Sequence, residues 1–329
     1  MTVVAEASPS LALIKYWGKL SDGVNLPATS SLAVTLEALR SRSTISDRDG
    51  DPEATEDLIF VDGDRQPTEP FIPVINEVRS RVRGSRAGEP RPVRVESSNN
   101  FPTAAGLASS SSGFAALAVG LDAFFGTSLP ASELSSIARL GSGSAARAVF
   151  GGFTIWPAGT EHAEPLAPAD HWPDLRVLVA ILQTSPKAVS SRSGMERSRL
   201  TSPFYDSWIQ SSEALFETAR SAMMMRDLEK LGTAMRQSYL RMFSTMFTSD
   251  PPFIYWLPGS VAVIHRCEEL RERGIPVWET MDAGPQVKML TLASAAAEVT
   301  AAIGEAVPGV TVISSQVGGD PVACSHEEA

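Results

Sequence analysis

Residues 99–125 constrain this chain more than any other stretch: NNFPTAAGLASSSSGFAALAVGLDAFF. A strand-like run over 93–97 enters a loop of small residues. Apolar positions then recur at helical spacing: Leu107, Phe114, Leu117, Ala118, Leu121, Phe124 and Phe125, with Gly126 as the stop. Small side chains let backbone N–H groups approach a ligand closely, and a helix N-terminus adds roughly half a positive charge. Serines in the first turn can bond phosphate oxygens or a metal-bound water. The segment therefore reads as a phosphate cradle, although the same serines also suit a plain helix cap. It is not a Walker A loop, because GxxxxGK[ST] is absent.

The chain has 329 residues, enough for one large or two modest domains. With 43% hydrophobic and 20% charged residues it is composed like a folded protein. Twenty-eight Lys+Arg stand against 38 Asp+Glu, a formal charge of −10. That argues against a nucleic-acid binder working through a general basic field, so the cations that meet an anionic ligand must be few and placed. No apolar run approaches the ~20 residues needed to span a bilayer, and no signal-like region opens the chain. Cys267 and Cys324 are too few for a disulfide scaffold, and the four histidines lack ligand spacing. The expectation is a soluble cytoplasmic protein without membrane or nucleic-acid partners.

The first hundred residues read mainly as strands, at 3–7, 11–17, 32–39, 41–46 and 93–97. A hairpin turns at Asp62-Gly63, and a helix covers 71–82. Helices follow over 106–125 and 131–140 and after Gly143, then strands at 151–156 and 177–183. From 185 to 247 the chain is mostly helical, with the methionines at 223–225 read as core. The end alternates: helix 261–273, strands 277–281 and 287–290, helix 293–303, strand 310–314 and a frayed tail from Ser325. This is an α+β pattern of two lobes, divided near residue 180 into 1–180 and 181–329.

Four more segments hold candidate chemistry. In a strand ending KYWGK, Lys15, Trp17 and Lys19 would share one face and Tyr16 the other, with Gly18 suggesting a bend. Gly141-Ser142-Gly143-Ser144, with Arg147 one turn later, suits an anion, for which guanidinium is the natural fork. Ser190-Ser191-Arg192-Ser193-Gly194-Met195 has the same composition. Asp282, before Ala283-Gly284-Pro285, puts a carboxylate at a strand end.

Taken together, the blocks ALIKYWGK (12–19), LPATSSLAVTL (26–36), NNFPTAAGLASS (99–110), RLGSGSAAR (139–147), SSRSGM (190–195) and MDAGPQVK (281–288) closely resemble the mevalonate diphosphate decarboxylases of the GHMP small-molecule kinase superfamily. The resemblance implies a two-lobe α+β fold with a ribosomal protein S5 domain 2-like N-terminal lobe and an active site in the cleft. It also implies ATP and Mg²⁺, phosphorylation of the 3-hydroxyl of mevalonate 5-diphosphate, loss of phosphate and CO₂ to give isopentenyl diphosphate, and a homodimer. Matched residue by residue, Asp282 is the base, Lys19 the cation that bonds and orients it, and Arg147 the grip on the substrate carboxylate. Tyr16, Trp17, Gly18, Lys19, Ser142, Gly143, Ser144, Ser191, Arg192 and Met195 complete the substrate pocket. Asn100, Pro102, Ala105, Gly106, Leu107, Ala108, Ser109 and Ser110 fall on the nucleotide, with Ser109 and Ser110 near the metal through the phosphates. Four positions depart from the family: Ser10, Thr29 and Gln286 replace asparagines, and Leu20 replaces a common Lys or Arg. Leu20 raises an alternative, the same reaction on mevalonate 5-phosphate giving isopentenyl phosphate. A kinase that phosphorylates and stops is the nearest rival.

Overall fold

The computed structural model describes residues 1–21, 24–48, 56–82, 92–101, 109–185 and 187–326. Helix α2, Ser109–Phe125, is apolar on nearly every side because it is covered on nearly every side. It lies on strands β1 (Thr2–Ala7) and β6 (Ser41–Asp47) and is flanked by α1 (Ile72–Ser80), α3 (Ala131–Gly141) and α4 (Ala145–Ala148). Leu117, Leu121 and Phe124 meet Val3, Ile45 and Val95 of the sheet and Ile75 and Ile137 of the flanking helices. That sheet has six strands in the order β16-β1-β6-β9-β7-β8, where β9 is Val93–Asn99, β7 Leu58–Val61, β8 Asp64–Arg65 and β16 Val322–His326. The β7–β8 turn is the expected hairpin: Asp62 and Gly63 take φ of 51° and 87°.

A second sheet, β11-β10-β5-β2, joins β2 (Ser10–Ile14), β5 (Ser31–Thr35), β10 (Phe153–Trp156) and β11 (Glu164–Ala167). A third, β13-β14-β12-β15, joins β12 (Leu175–Ile181), β13 (Val277–Met281), β14 (Val287–Leu292) and β15 (Thr311–Ser315), all antiparallel. Helices α6 (Tyr205–Met225) and α7 (Leu228–Phe247) connect the two sheets: Phe216, Met223, Leu231 and Met235 share one core with Leu13 and Val34 of the second sheet and Val177 and Leu290 of the third. Helices α8 (Pro258–Glu272) and α9 (Ala296–Ala306) pack elsewhere on the third sheet, and α5 (Ser191–Thr201) precedes α6. The short β3 (Lys19–Ser21) and β4 (Val24–Pro27) form a separate pair. Among the described residues no helix is long and apolar enough to cross a membrane.

Three expectations need correction. The tail is not frayed at Ser325: residues 322–326 pair antiparallel with β1, His326 opposite Thr2. Of the three methionines only Met223 is core, while Met224 and Met225 are 45% and 73% exposed near the end of α6. Strand β2 stops at Ile14, so Lys15 to Gly18 leave the alternating pattern.

Candidate active site

Asp282 follows the last residue of β13, at the turn into β14. Each carboxylate oxygen faces one ammonium: Oδ1 lies 2.7 Å from Lys15 Nζ and Oδ2 3.1 Å from Lys288 Nζ. Lys15 stands just past β2, and Lys288 lies on β14 opposite Thr280 of β13. The two lysines are 1% and 2% exposed and the aspartate 25%, so the carboxylate is the part of this cluster that a ligand can reach. Burial pushes the Asp282 carboxyl up, but the two lysines outweigh it and hold the group well below the usual carboxylate range. Burial pushes Lys15 down to about 8 against the pull of Asp282.

Asp282 and Lys15 line a cavity of about 490 Å³, with Lys288 behind the carboxylate rather than on the wall. Among the described residues its wall carries five cations, Lys15, Lys19, Arg147, Lys187 and Arg192, and one acid, Asp282. An otherwise acidic chain thus sets a local excess of positive charge on this wall, the arrangement expected for a polyanionic ligand. Arg147, on α4, is 2% exposed, and burial lowers it to about 10. Its Nη1 donates to Ser31 Oγ at 2.7 Å while its Nε has no partner. The Ser10 and Tyr16 hydroxyls are likewise buried without partners at this wall, so several donors there await a ligand. Ser110, Ser142 and Ser144 form a row of hydroxyls, with Oγ separations of 3.2 and 3.3 Å. Lys187 Nζ donates to Ser191 Oγ and to the Ala283 carbonyl, both at 2.6 Å, tying the segment after β12 to the Asp282 turn. Burial, then Lys288, lowers Lys187 to about 8.

The structure thus brings Asp282, Arg147, Lys19, Tyr16, Ser142, Gly143, Ser144, Ser191, Arg192, Met195, Ser109 and Ser110 to one cavity. It reassigns the cations orienting Asp282: Lys15 and Lys288 hold its oxygens, while Lys19 lines the same wall. Trp17 reaches the wall, but its side chain belongs to the core with Met195, Trp208 and Phe253. Gly18 is not a lining residue; it shapes the turn, with φ of +116° and no room for a Cβ, which would fall 2.0 Å from Tyr205 Oη. Gly143 makes room for Tyr16, whose Oη would lie 2.5 Å from an added Cβ. The Asn100 amide is engaged away from the cavity, accepting from Arg40 N at 2.8 Å and donating to the Ala38 carbonyl at 3.1 Å. Pro102, Ala105, Gly106, Leu107 and Ala108 lie outside the described residues. Sequence reasoning missed Lys15, Lys187 and Lys288 as site residues, although Lys15 and Lys288 fall inside the quoted blocks at 12–19 and 281–288.

A family model described as the diphosphomevalonate decarboxylase-like N-terminal domain matches residues 7–167, and one for the mevalonate 5-diphosphate decarboxylase C-terminal domain matches 177–329. The chain belongs to the mevalonate diphosphate decarboxylase family. The human diphosphomevalonate decarboxylase is 35% identical over 327 residues, covering 93% of this chain and 80% of that one. The Ganoderma lucidum diphosphomevalonate decarboxylase is 35% identical over 312 residues, covering 87% and 77%. The structure of MDDEF in complex with MVAPP, AMPPCP and magnesium superposes with a TM-score of 0.89 at 35% identity, covering 99% of both chains. That of the Staphylococcus aureus mevalonate diphosphate decarboxylase gives 0.89 at 32%, covering 98% of both.

Against this family the four departures find distinct places. Leu20 is 56% exposed and is not on the cavity wall. Thr29 Oγ1 donates to the Lys15 carbonyl at 3.3 Å. Gln286 Oε1 accepts from Leu182 N at 2.6 Å, tying the Asp282 turn to the end of β12. Ser10 lies at the cavity wall.

Proposed function

We propose that this chain converts mevalonate 5-diphosphate and ATP to isopentenyl diphosphate, ADP, phosphate and CO₂. The observation that carries the reading is one cavity holding a lysine-clamped carboxylate, a buried guanidinium and the first serines of α2.

Asp282 is ionised at every working pH and accepts a hydrogen bond from the substrate's 3-hydroxyl. A carboxylate this weakly basic orients the hydroxyl and takes its proton late, as the oxygen gains phosphorus, which suits a loose phosphoryl-transfer transition state. Polyphosphate entering beside it raises the proton affinity of Asp282, Lys15 and Lys187 alike, so the base strengthens as the site fills. Lys187 and the serine row hold phosphate oxygens. Lys19, Tyr16 and Arg192 lie toward the 5-diphosphate. Arg147 grips the substrate carboxylate with its remaining donors. Phosphate then leaves with the C–O electron pair, the bond to the carboxylate carbon supplies the electrons of the new C=C, and CO₂ departs.

Among the described residues no three His, Cys, Asp or Glu side chains gather to hold a metal. The oxygen-rich, carboxylate-poor wall fits a Mg²⁺ carried on nucleotide phosphates, with Ser109 and Ser110 as its protein contacts. Such an ion would neutralise charge on the transferring phosphoryl group. In the same reading the chain passes from the ATP-binding lobe to the second lobe near residue 180, and works in the cytoplasm as a homodimer. The test is product stoichiometry with ATP, Mg²⁺ and mevalonate 5-diphosphate. One CO₂ per ADP is expected, and ADP without CO₂ would make the chain a kinase.

A further inference from the structure

Lys15 stands one residue beyond β2, and other parts of the chain hold its backbone there. Its amide donates to Ser238 Oγ at 3.0 Å, and its carbonyl accepts from Thr29 Oγ1 at 3.3 Å. Two residues on, the Trp17 carbonyl accepts from Trp208 Nε1 at 2.8 Å. Ser238 on α7 is fully buried, Trp208 on α6 is 2% exposed, and neither lines the cavity.

We propose that Ser238 and Trp208 are positioning residues for the reaction, holding the backbone at 15–17 from helices α7 and α6 so that Lys15 Nζ meets Asp282. A buried amide that loses its acceptor must find another, and here it does so by moving the segment. The segment carries a contact of 2.7 Å to the reacting carboxylate, where small displacements cost rate. The inference rests on the decarboxylase reading for the reaction it serves; the hydrogen bonds stand independently of it.

The charged groups around Lys15 are Asp282 after β13, Lys288 on β14 and Arg147 on α4; Lys187, after β12, interacts with both Lys288 and Asp282. Of these only Asp282 keeps the Lys15 proton on. Moving Lys15 away from Asp282 therefore lowers the pH at which the ammonium is lost.

The experiment uses Ser238→Ala and Trp208→Phe in the full chain. Each is expected to lower kcat about tenfold, to leave KM for ATP unchanged, and to shift the alkaline limb of kcat to lower pH. A second readout needs no turnover: the ¹³Cε chemical shift of Lys15 in the free protein followed by NMR against pH, its midpoint lower in both variants. Folded variants with wild-type kcat, limb and midpoint overturn the proposal, and so does a lowered Tm with those three unchanged. Trp208→Phe keeps an aromatic ring in the core and decides the matter if Ser238→Ala does not fold. If the wild type releases no CO₂, the functional reading fails while the Lys15 titration midpoints still judge this one.

Discussion

Replacing Lys15 with methionine removes one of the two charges that keep Asp282 ionised while leaving a side chain of similar length. An opposite charge at hydrogen-bond distance moves a carboxyl by about 1–3 units, or roughly 1.4–4 kcal/mol. In the wild type, Asp282 is held so low that it adds no acid limb in the accessible pH range. Without Lys15, burial still pushes it up while Lys288, with weaker help from Arg147 and Lys187, opposes, so its pKa rises toward the ordinary carboxylate range. An acid limb is then expected to enter the accessible pH range, with activity rising as pH rises through it. Any part of the alkaline limb due to Lys15, whose proton is lost near 8, disappears. Turnover above the new limb should fall by about 10²–10³, the usual loss when a preorganised charge leaves a reacting centre. Stability should change little. Lys15 is folded with its pKa depressed, so its charged form costs stability below about 8, and that cost vanishes. The stability that Asp282 gains above its unfolded pKa shrinks at the same time. The assay is ADP release from pH 4.5 to 9.5 with Tm measured alongside. A Lys15→Met variant with wild-type turnover and no acid limb would refute the reasoning.

Other changes separate stability from chemistry. Glu279 is fully buried on β13 and accepts from Arg236 Nε at 2.6 Å, Arg271 Nη1 at 2.7 Å and Tyr239 Oη at 3.1 Å. Glu279→Gln leaves Arg271 without its carboxylate and Arg236 with Glu268 alone, and should cost about 3 kcal/mol, seen as a lower Tm with an unaltered pH profile of kcat. Leu20→Lys restores a cation outside the cavity wall, so the ratio of kcat/KM for mevalonate 5-diphosphate and 5-phosphate should move less than about twofold. A tenfold gain for the diphosphate would place Leu20 beside the substrate.

Much of this was legible in the chain because periodicity reports burial. The helix read over 106–125 is found as α2 within the described residues, the strand at 277–281 is β13, and the Asp62-Gly63 hairpin forms as read. Asp282 and Arg147 could be placed in one site because their blocks are long. The identity of the orienting cation was not legible. Strand alternation set Lys15 and Lys19 side by side, but the β2–β5 register shifts between Ala12 and Ile14, the strand ends, and Gly18 turns the chain with positive φ. Lys288 escaped because its approach to Asp282 depends on the β13–β14 register, which brings Thr280 opposite it. Strand β16 escaped because Val322, Cys324 and His326 show no apolar alternation, and its partner lies more than three hundred residues away.

The central claim is that Asp282 drives phosphoryl transfer, on which CO₂ loss depends. The most direct measurement is a single turnover of Asp282→Asn with ATP, Mg²⁺ and mevalonate 5-diphosphate, following ADP and CO₂ together, with ATP affinity measured separately. The account predicts that both products fall together by about 10³ or more while ATP binds as in the wild type. ADP and CO₂ at the wild-type rate would contradict it.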